Sequence, residues 1–215
     1  QRLPGTTVAH GFEVPRRSVS DRDFVGGCGM GEMGVCAMQL HPAKCTLTAN
    51  KAWFFFDEEV VCLGSGICST DGRAVETVID NRLIGDENTK IPDSDEKHIN
   101  ESAYFNKHQN IGYFFPKQNN VCVMTKSRQG KWSDLSCNTD GVLYTGQYNT
   151  IWIDHGQNPK DESYAYTVVP DCSADEFRDY CAANKTETLE NSTRVQCVRK
   201  GCCTGVVFLK NGSAS

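Results

Sequence analysis

Residues 51–83 read KAWFFFDEEVVCLGSGICSTDGRAVETVIDNRL. Three apolar runs stand almost end to end within them: Trp53 to Phe56, Val60 to Leu63 and Val75 to Ile79. Each is short, rich in aromatic and β-branched residues, and bounded by acidic or glycine-bearing breaks, which predicts three consecutive strands. The first break, Asp57-Glu58-Glu59, has room only for a tight hairpin. The second opens with Leu63-Gly64-Ser65-Gly66-Ile67, which reads as a turn because two glycines interrupt the pattern.

Outward from this stretch the same signals repeat. Residues 35–41 alternate as a strand, and the five glycines from Gly26 to Gly34 predict tight turning before it. Short strands are expected at 110–115, 121–126, 131–136, 148–153 and 163–169, with Gln129-Gly130 as a hairpin turn. Residues 85–106 turn polar and acidic and read as an excursion between sheets. Ser173-Ala174-Asp175-Glu176 is a capping box, in which the serine side chain and Glu176 satisfy each other's backbone N–H, so a helix is predicted to about Ala183. Strands resume at 187–190, 194–199 and 205–209. Many short strands with one short helix predict an all-β protein, a large multi-sheet antiparallel β-sandwich.

The chain of 215 residues carries a formal net charge of −5 without acidic or basic blocks. No Lys/Arg cluster with interleaved aromatics supports a nucleic-acid groove. No apolar run reaches the roughly 20 residues of a membrane span. The glycines from Gly26 to Gly34 lack the GxxxxGK[ST] pattern of a phosphate loop, and Asp93-Ser94-Asp95-Glu96 lacks calcium-loop spacing, so no cofactor is expected. The twelve cysteines contain no CxxC pair, the usual mark of zinc, and no metal site is expected. An even, dispersed set instead points to disulfides in an oxidising compartment. Cys122 and Cys137 flank the expected Gln129-Gly130 turn symmetrically, Cys62 and Cys68 flank the Leu-Gly-Ser-Gly-Ile segment, and Cys172 and Cys181 flank the helix; these are the favoured pairs. Four Asn-x-Ser/Thr sequons, at Asn100, Asn184, Asn191 and Asn211, add an expectation of N-glycosylation and an extracellular, secreted protein. Asn100, Asn184 and Asn191 are expected at surface turns.

Several of these segments also resemble a known family in unbroken order. Gln1-Arg2-Leu3-Pro4-Gly5-Thr6-Thr7, Phe24-Val25-Gly26-Gly27, Trp53, Leu63-Gly64-Ser65, Ile67, Thr77, Ile79 and Asn81-Arg82 are followed by Ile111-Gly112-Tyr113, Gly130-Lys131-Trp132 and Tyr164 to Pro170. This set resembles the central β-domain of polysaccharide lyase family 8, the hyaluronate, chondroitin and xanthan lyases. The resemblance implies a supersandwich over residues 1–210, with 211–215 opening a truncated following segment. It also implies cleavage beside a uronic acid by β-elimination, which needs the carboxylate neutralised, a base and an acid. The family draws the Asn, His, Tyr and Arg for this mainly from a helical toroid that would precede Gln1, so no catalytic residue is assigned here. The chain starts at Gln1 within a motif, which suggests a fragment or processed product.

Near the Pro-Gly-Thr-Thr segment, Arg2 is the candidate to meet an anionic sugar, with Thr6 and Thr7 as hydrogen-bond donors; the same motif also serves as a turn that fixes where the domain begins. His155, after Asp154, reads as structural. His10, His41, His98 and His108 lie in polar segments without partner spacing and read as surface residues. Two functions stand side by side: the β-domain of a secreted lyase acting with a helical domain, or a non-catalytic, glycosylated, disulfide-rich structural or interaction module. The partners implied are an acidic polysaccharide, a neighbouring domain or protein, or a second copy of the chain.

Overall fold

The structure is a computed structural model, and it describes residues 2–12, 19–85, 91–117, 120–134, 141–183 and 185–210. The quoted stretch is three strands, as its pattern predicts: β4 (Thr48–Phe56), β5 (Glu59–Cys68) and β6 (Ala74–Gly85). Phe56 pairs with Glu59 across a two-residue turn in which Asp57 takes a left-handed φ of 37°.

These strands feed three antiparallel sheets. A seven-stranded sheet runs β2 (Val25–Met30), β3 (Met33–Leu40), β4, β5, β12 (Glu162–Val169), β9 (Ile111–Phe114) and β8 (Ala103–Asn106). A five-stranded sheet runs β1 (Thr7–Ala9), β6, β11 (Leu143–Gln157), β10 (Val121–Lys131) and β7 (Ser94–Ile99). The third sheet is β13 (Thr186–Asn191), β14 (Val195–Lys200) and β15 (Cys203–Phe208).

Strand alternation explains the layering. On β4 and β5, Ala49, Trp53, Val60 and Cys62 join a core with Val75, Ile79, Val121, Ile151 and Ile153 of the five-stranded sheet. The intervening residues Ala52, Phe54, Phe56, Val61 and Leu63 face the other way and pack on Val198, Val207 and Leu209 of the third sheet. The central strands are thus covered on both faces, which is why their sequences are continuous apolar runs rather than alternating ones. Burying Phe54 completely contributes about 1.5–3 kcal/mol.

Helix α1 (Ala174–Ala183) begins at the expected box: Ser173 N–H donates to Glu176 Oε2 at 2.8 Å, and Glu176 N–H to Ser173 Oγ at 3.2 Å. Its Phe177 ring lies over β9, where a Cβ on Gly112 would come 2.1 Å from the ring. Glu59 sits buried at the junction of helix and third sheet, bonded by the Tyr180 and Thr186 hydroxyls, with Lys200 Nζ at 3.4 Å.

Several local expectations are corrected. Leu63 to Ile67 is continuous strand, not a turn. The run from Gly26 to Gly34 is mostly the β2/β3 hairpin, with Gly31 (φ 60°) at its turn. The polar excursion contains β7 and β8. Gln129-Gly130 lies inside β10, which continues to Lys131, and residues 132–134 form a 3-10 turn.

These corrections change the cysteine geometry. The register sets Trp152, not Cys137, opposite Cys122, and Cys137 lies outside the described residues. Cys62 and Cys68 share one strand, so six residues of roughly 3.3 Å each hold them about 20 Å apart, against the ~7 Å limit for a disulfide. Eight residues of helical rise separate Ser173 from Cys181 by about 12 Å, and the one further step of ~3.8 Å to Cys172 cannot close that gap. No disulfide joins any two of the eleven described cysteines.

Candidate functional site

The long ribbon of β10 and β11 rises beyond the sandwich core, paired from Val121↔Ile153 to Lys131↔Leu143. Its exposed half, together with β6 and the start of the chain, encloses a cleft of about 280 Å3 lined by Arg2, Asn81, Arg128, Lys131, Trp132, Tyr144 and Tyr148 among others. Three of these are cations, three are aromatic, and among the described residues no carboxylate lines the cleft. Trp132 is 58% and Tyr144 50% exposed, so both present ring faces to solvent. Large amphipathic rings left this open are suited to stacking on a partner.

Arg2 forms one wall. Its guanidinium lies 3.7 Å above the Trp152 ring and makes a forked pair with Glu76, Nε to Oε1 at 2.8 Å and an η-nitrogen to Oε2 at 2.7 Å. His10 Nε2 is also 2.7 Å from Glu76 Oε2. Burial alone would raise the Glu76 carboxyl, but the hydrogen bonds and charges of Arg2 and His10 hold it below the ordinary carboxylate range. The floor is a chain of polar contacts: Arg128 to Thr150 Oγ1 at 3.5 Å, Thr150 Oγ1 to Asn81 Oδ1 at 2.8 Å, and Asn81 Nδ2 to the Arg2 carbonyl at 2.7 Å. Lys131 is exposed and Arg128 half-buried, both line the cleft, and neither has a carboxylate partner among the described contacts.

Arg2, the candidate to meet an anionic sugar, lines this cleft. Thr6 and Thr7 do not join it. The Thr6 hydroxyl donates to the Leu3 carbonyl at 2.7 Å, closing the Pro-Gly turn. Thr7 is buried, its hydroxyl 2.9 Å from that of Thr77. Thr77 in turn contacts His155 Nε2 at 2.8 Å, and the His155 ring packs near Tyr164. Burial lowers His155 to about 4, so it is neutral at physiological pH. Beneath the Pro-Gly turn, Lys51 is 3% exposed, donates to the Gly5 carbonyl, and is pulled by burial to about 8.

His41 and His98 contact residues 20 or more positions away in the chain. His41 Nδ1 is 2.6 Å from Asp21 Oδ1, and His98 Nδ1 is 3.6 Å from Cys122 Sγ. Among the sequons, Asn100 is exposed between β7 and β8. Asn191 is committed: its Nδ2 donates to the carbonyls of Gly64 (3.1 Å) and Tyr164 (2.9 Å), and Gln196 Nε2 donates to its Oδ1. Asn184 and Asn211 lie outside the described residues. No helix among them is long and apolar enough to cross a membrane.

Arg128, Tyr144 and Tyr148 were not singled out by the sequence reading. The usable signal was Ser127-Arg128-Gln129-Gly130-Lys131-Trp132, two cations beside an aromatic, obscured by taking Gln129-Gly130 for a turn.

Residues 1–181 match the family model described as polysaccharide lyase family 8, super-sandwich domain. The chain is 31% identical to a xanthan lyase of Bacillus sp. (strain GL1), with 93% of this chain and 23% of the relative covered. It is 30% identical to a hyaluronate lyase of Enterococcus faecalis, with 93% and 22% covered. The chain thus spans less than a quarter of the length of these relatives. Its fold superposes on a Paenibacillus xanthan lyase with a TM-score of 0.91 at 34% identity, covering 100% of this chain and 23% of that one. On a Streptomyces coelicolor chondroitin AC lyase, solved in complex with chondroitin sulphate, the TM-score is 0.80 at 30% identity, covering 99% and 29%.

Proposed function

Because the chain belongs to polysaccharide lyase family 8 and carries its super-sandwich domain, we propose that it is the β-domain of a secreted lyase that grips an acidic polysaccharide and works with a helical domain on β-elimination. The observation that carries this reading is the cleft itself: Arg2, Arg128 and Lys131 with Trp132, Tyr144 and Tyr148, and no carboxylate among the described lining residues. Sugars offer apolar ring faces for stacking and, when acidic, carboxylates for charge-assisted hydrogen bonds. Arg128 and Lys131 receive the uronate charge, and Trp132 and Tyr144 take the pyranose faces. Arg2, held rigid between Glu76 and Trp152, supplies a preorganised wall rather than a mobile arm. In the elimination this chain's part is to bind and orient; the proton transfers fall to the helical domain. Secretion is supported by the exposed Asn100 sequon.

The test is calorimetric titration of the chain with size-defined hyaluronan and chondroitin oligosaccharides, and with xanthan fragments, against neutral dextran of equal length. Acidic sugars should bind and dextran should not. Arg128→Ala and Lys131→Ala should each weaken binding by about tenfold or more, the value of one charge-assisted contact. Equal affinity for dextran, or unchanged affinity in both variants, would overturn the reading.

A further inference from the structure

A second polar cluster lies on the same sheet, in line across the strands with the Trp152 ring that carries Arg2. On edge strand β7, Glu96 and His98 are two residues apart and so point to one face. Cys122 of β10 is the register partner of His98, which sets all three on that face. Their neighbours Ile99 and Val121 face the sandwich core, so the cluster lies on the sheet's outer side. Cys122 Sγ is 3.6 Å from His98 Nδ1, and one ligand atom from each of the three residues lies within 4.8 Å of the others.

We infer that Glu96, His98 and Cys122 form a binding site for one Zn2+ ion, which clips the edge strand β7 to β10. Tetrahedral zinc with Zn–S of about 2.3 Å and Zn–N of about 2.0–2.1 Å sets sulfur and nitrogen about 3.6 Å apart, the separation found here. One thiolate, one imidazole and one carboxylate form a borderline-soft donor set that suits zinc and not magnesium or calcium. Thiolate and carboxylate together balance the dipositive charge. Asn120 Oδ1, 2.8 Å from the same His98 nitrogen, is close enough to complete the set. On binding, the Cys122 thiol gives its proton to solvent and His98 carries its own on Nε2, leaving Nδ1 for the metal. The usual CxxC mark is missing from the sequence because the ligands come from two strands rather than one turn.

The site is tested with Co2+ as the spectroscopic probe on the reduced chain under anaerobic conditions. One Co2+ per chain should give a thiolate-to-cobalt band in the near-ultraviolet and the visible bands of tetrahedral cobalt, both bleached by Zn2+. Cys122→Ser and His98→Ala should abolish the bands and weaken Zn2+ binding by on the order of 100-fold. His98 is exposed, so its variant keeps the core intact even if Cys122→Ser disturbs packing. The adjacent pair Cys202, exposed, and Cys203, half-buried, with sulfurs 3.9 Å apart, is the competing thiol site. A Cys202→Ser/Cys203→Ser double variant should keep the bands. No thiolate band in the wild-type chain, bands retained in His98→Ala, or bands lost only with Cys202 and Cys203, would each overturn the proposal.

Discussion

Replacing Glu76 by glutamine isolates the pair that holds Arg2 against the cleft. The Glu76 side chain is only 4% exposed and receives both arms of Arg2, at 2.8 and 2.7 Å, plus His10 at 2.7 Å. Removing one partner of a buried ion pair typically costs about 3–5 kcal/mol. Arg2 is 18% exposed and an amide still offers one acceptor oxygen, so the cost here is smaller, about 2–3 kcal/mol. In a domain of this size each kcal/mol moves Tm by about 2–4 °C, which gives a drop of roughly 5–10 °C at pH 7. The pH dependence has a definite sign. The folded carboxyl is held below its usual 4.5, so its contribution is complete above that pH and is lost as pH falls through the lower folded value. Scanning calorimetry of wild type and Glu76→Gln from pH 7 to pH 3 should therefore show two Tm values that converge on acidification. A difference under 1 °C at pH 7, or a gap at pH 3 as wide as at pH 7, would refute the reasoning.

Other expected outcomes follow from single contacts. A Cβ at Gly64 would lie 2.1 Å from Tyr164 Cε1, so Gly64→Ala should destabilise by about 3 kcal/mol or more, read as a lower denaturation midpoint with unchanged slope. Burial holds His155 at about 4 against an ordinary 6.5, so the unfolded chain takes up this proton first as pH falls. Stability should decline by up to about 3 kcal/mol between pH 6.5 and 4, and His155→Gln should remove that part of the slope. In a host that attaches N-glycans, peptide mapping should find Asn100 modified and Asn191 bare, because the Asn191 amide is bound to two sheet carbonyls.

The core was legible because strands covered on both faces are written as uninterrupted apolar runs, as at Trp53–Phe56 and Val60–Leu63. The capping box at Ser173 was legible because its chemistry is local. Edge strands were not. β2 is exposed at every residue and rich in glycine, and β7, Ser-Asp-Glu-Lys-His-Ile, buries only Ile99. Neither shows an apolar period, since each owes its strand form to a neighbour's backbone hydrogen bonds. The outer half of the β10/β11 ribbon is likewise largely exposed from Ser127 to Lys131, which moved the expected turn to Gln129-Gly130 and hid the cleft. Arg2 could be singled out through its motif, but its pairing with Glu76 depends on a contact 74 residues away in the chain. The zinc cluster depends on register, which no spacing rule within one segment reports.

The central claim is that acidic sugar binds on the ribbon cleft, and amide chemical-shift mapping tests it most directly. Titrating 15N-labelled chain with a hyaluronan tetrasaccharide should perturb Arg128 to Trp132, Tyr144, Tyr148 and Asn81, together with the Trp132 indole N–H. The third sheet, at Val195 to Phe208, should stay silent. Saturable shifts centred on the third sheet or the β2 edge, with the ribbon unchanged, would contradict the account.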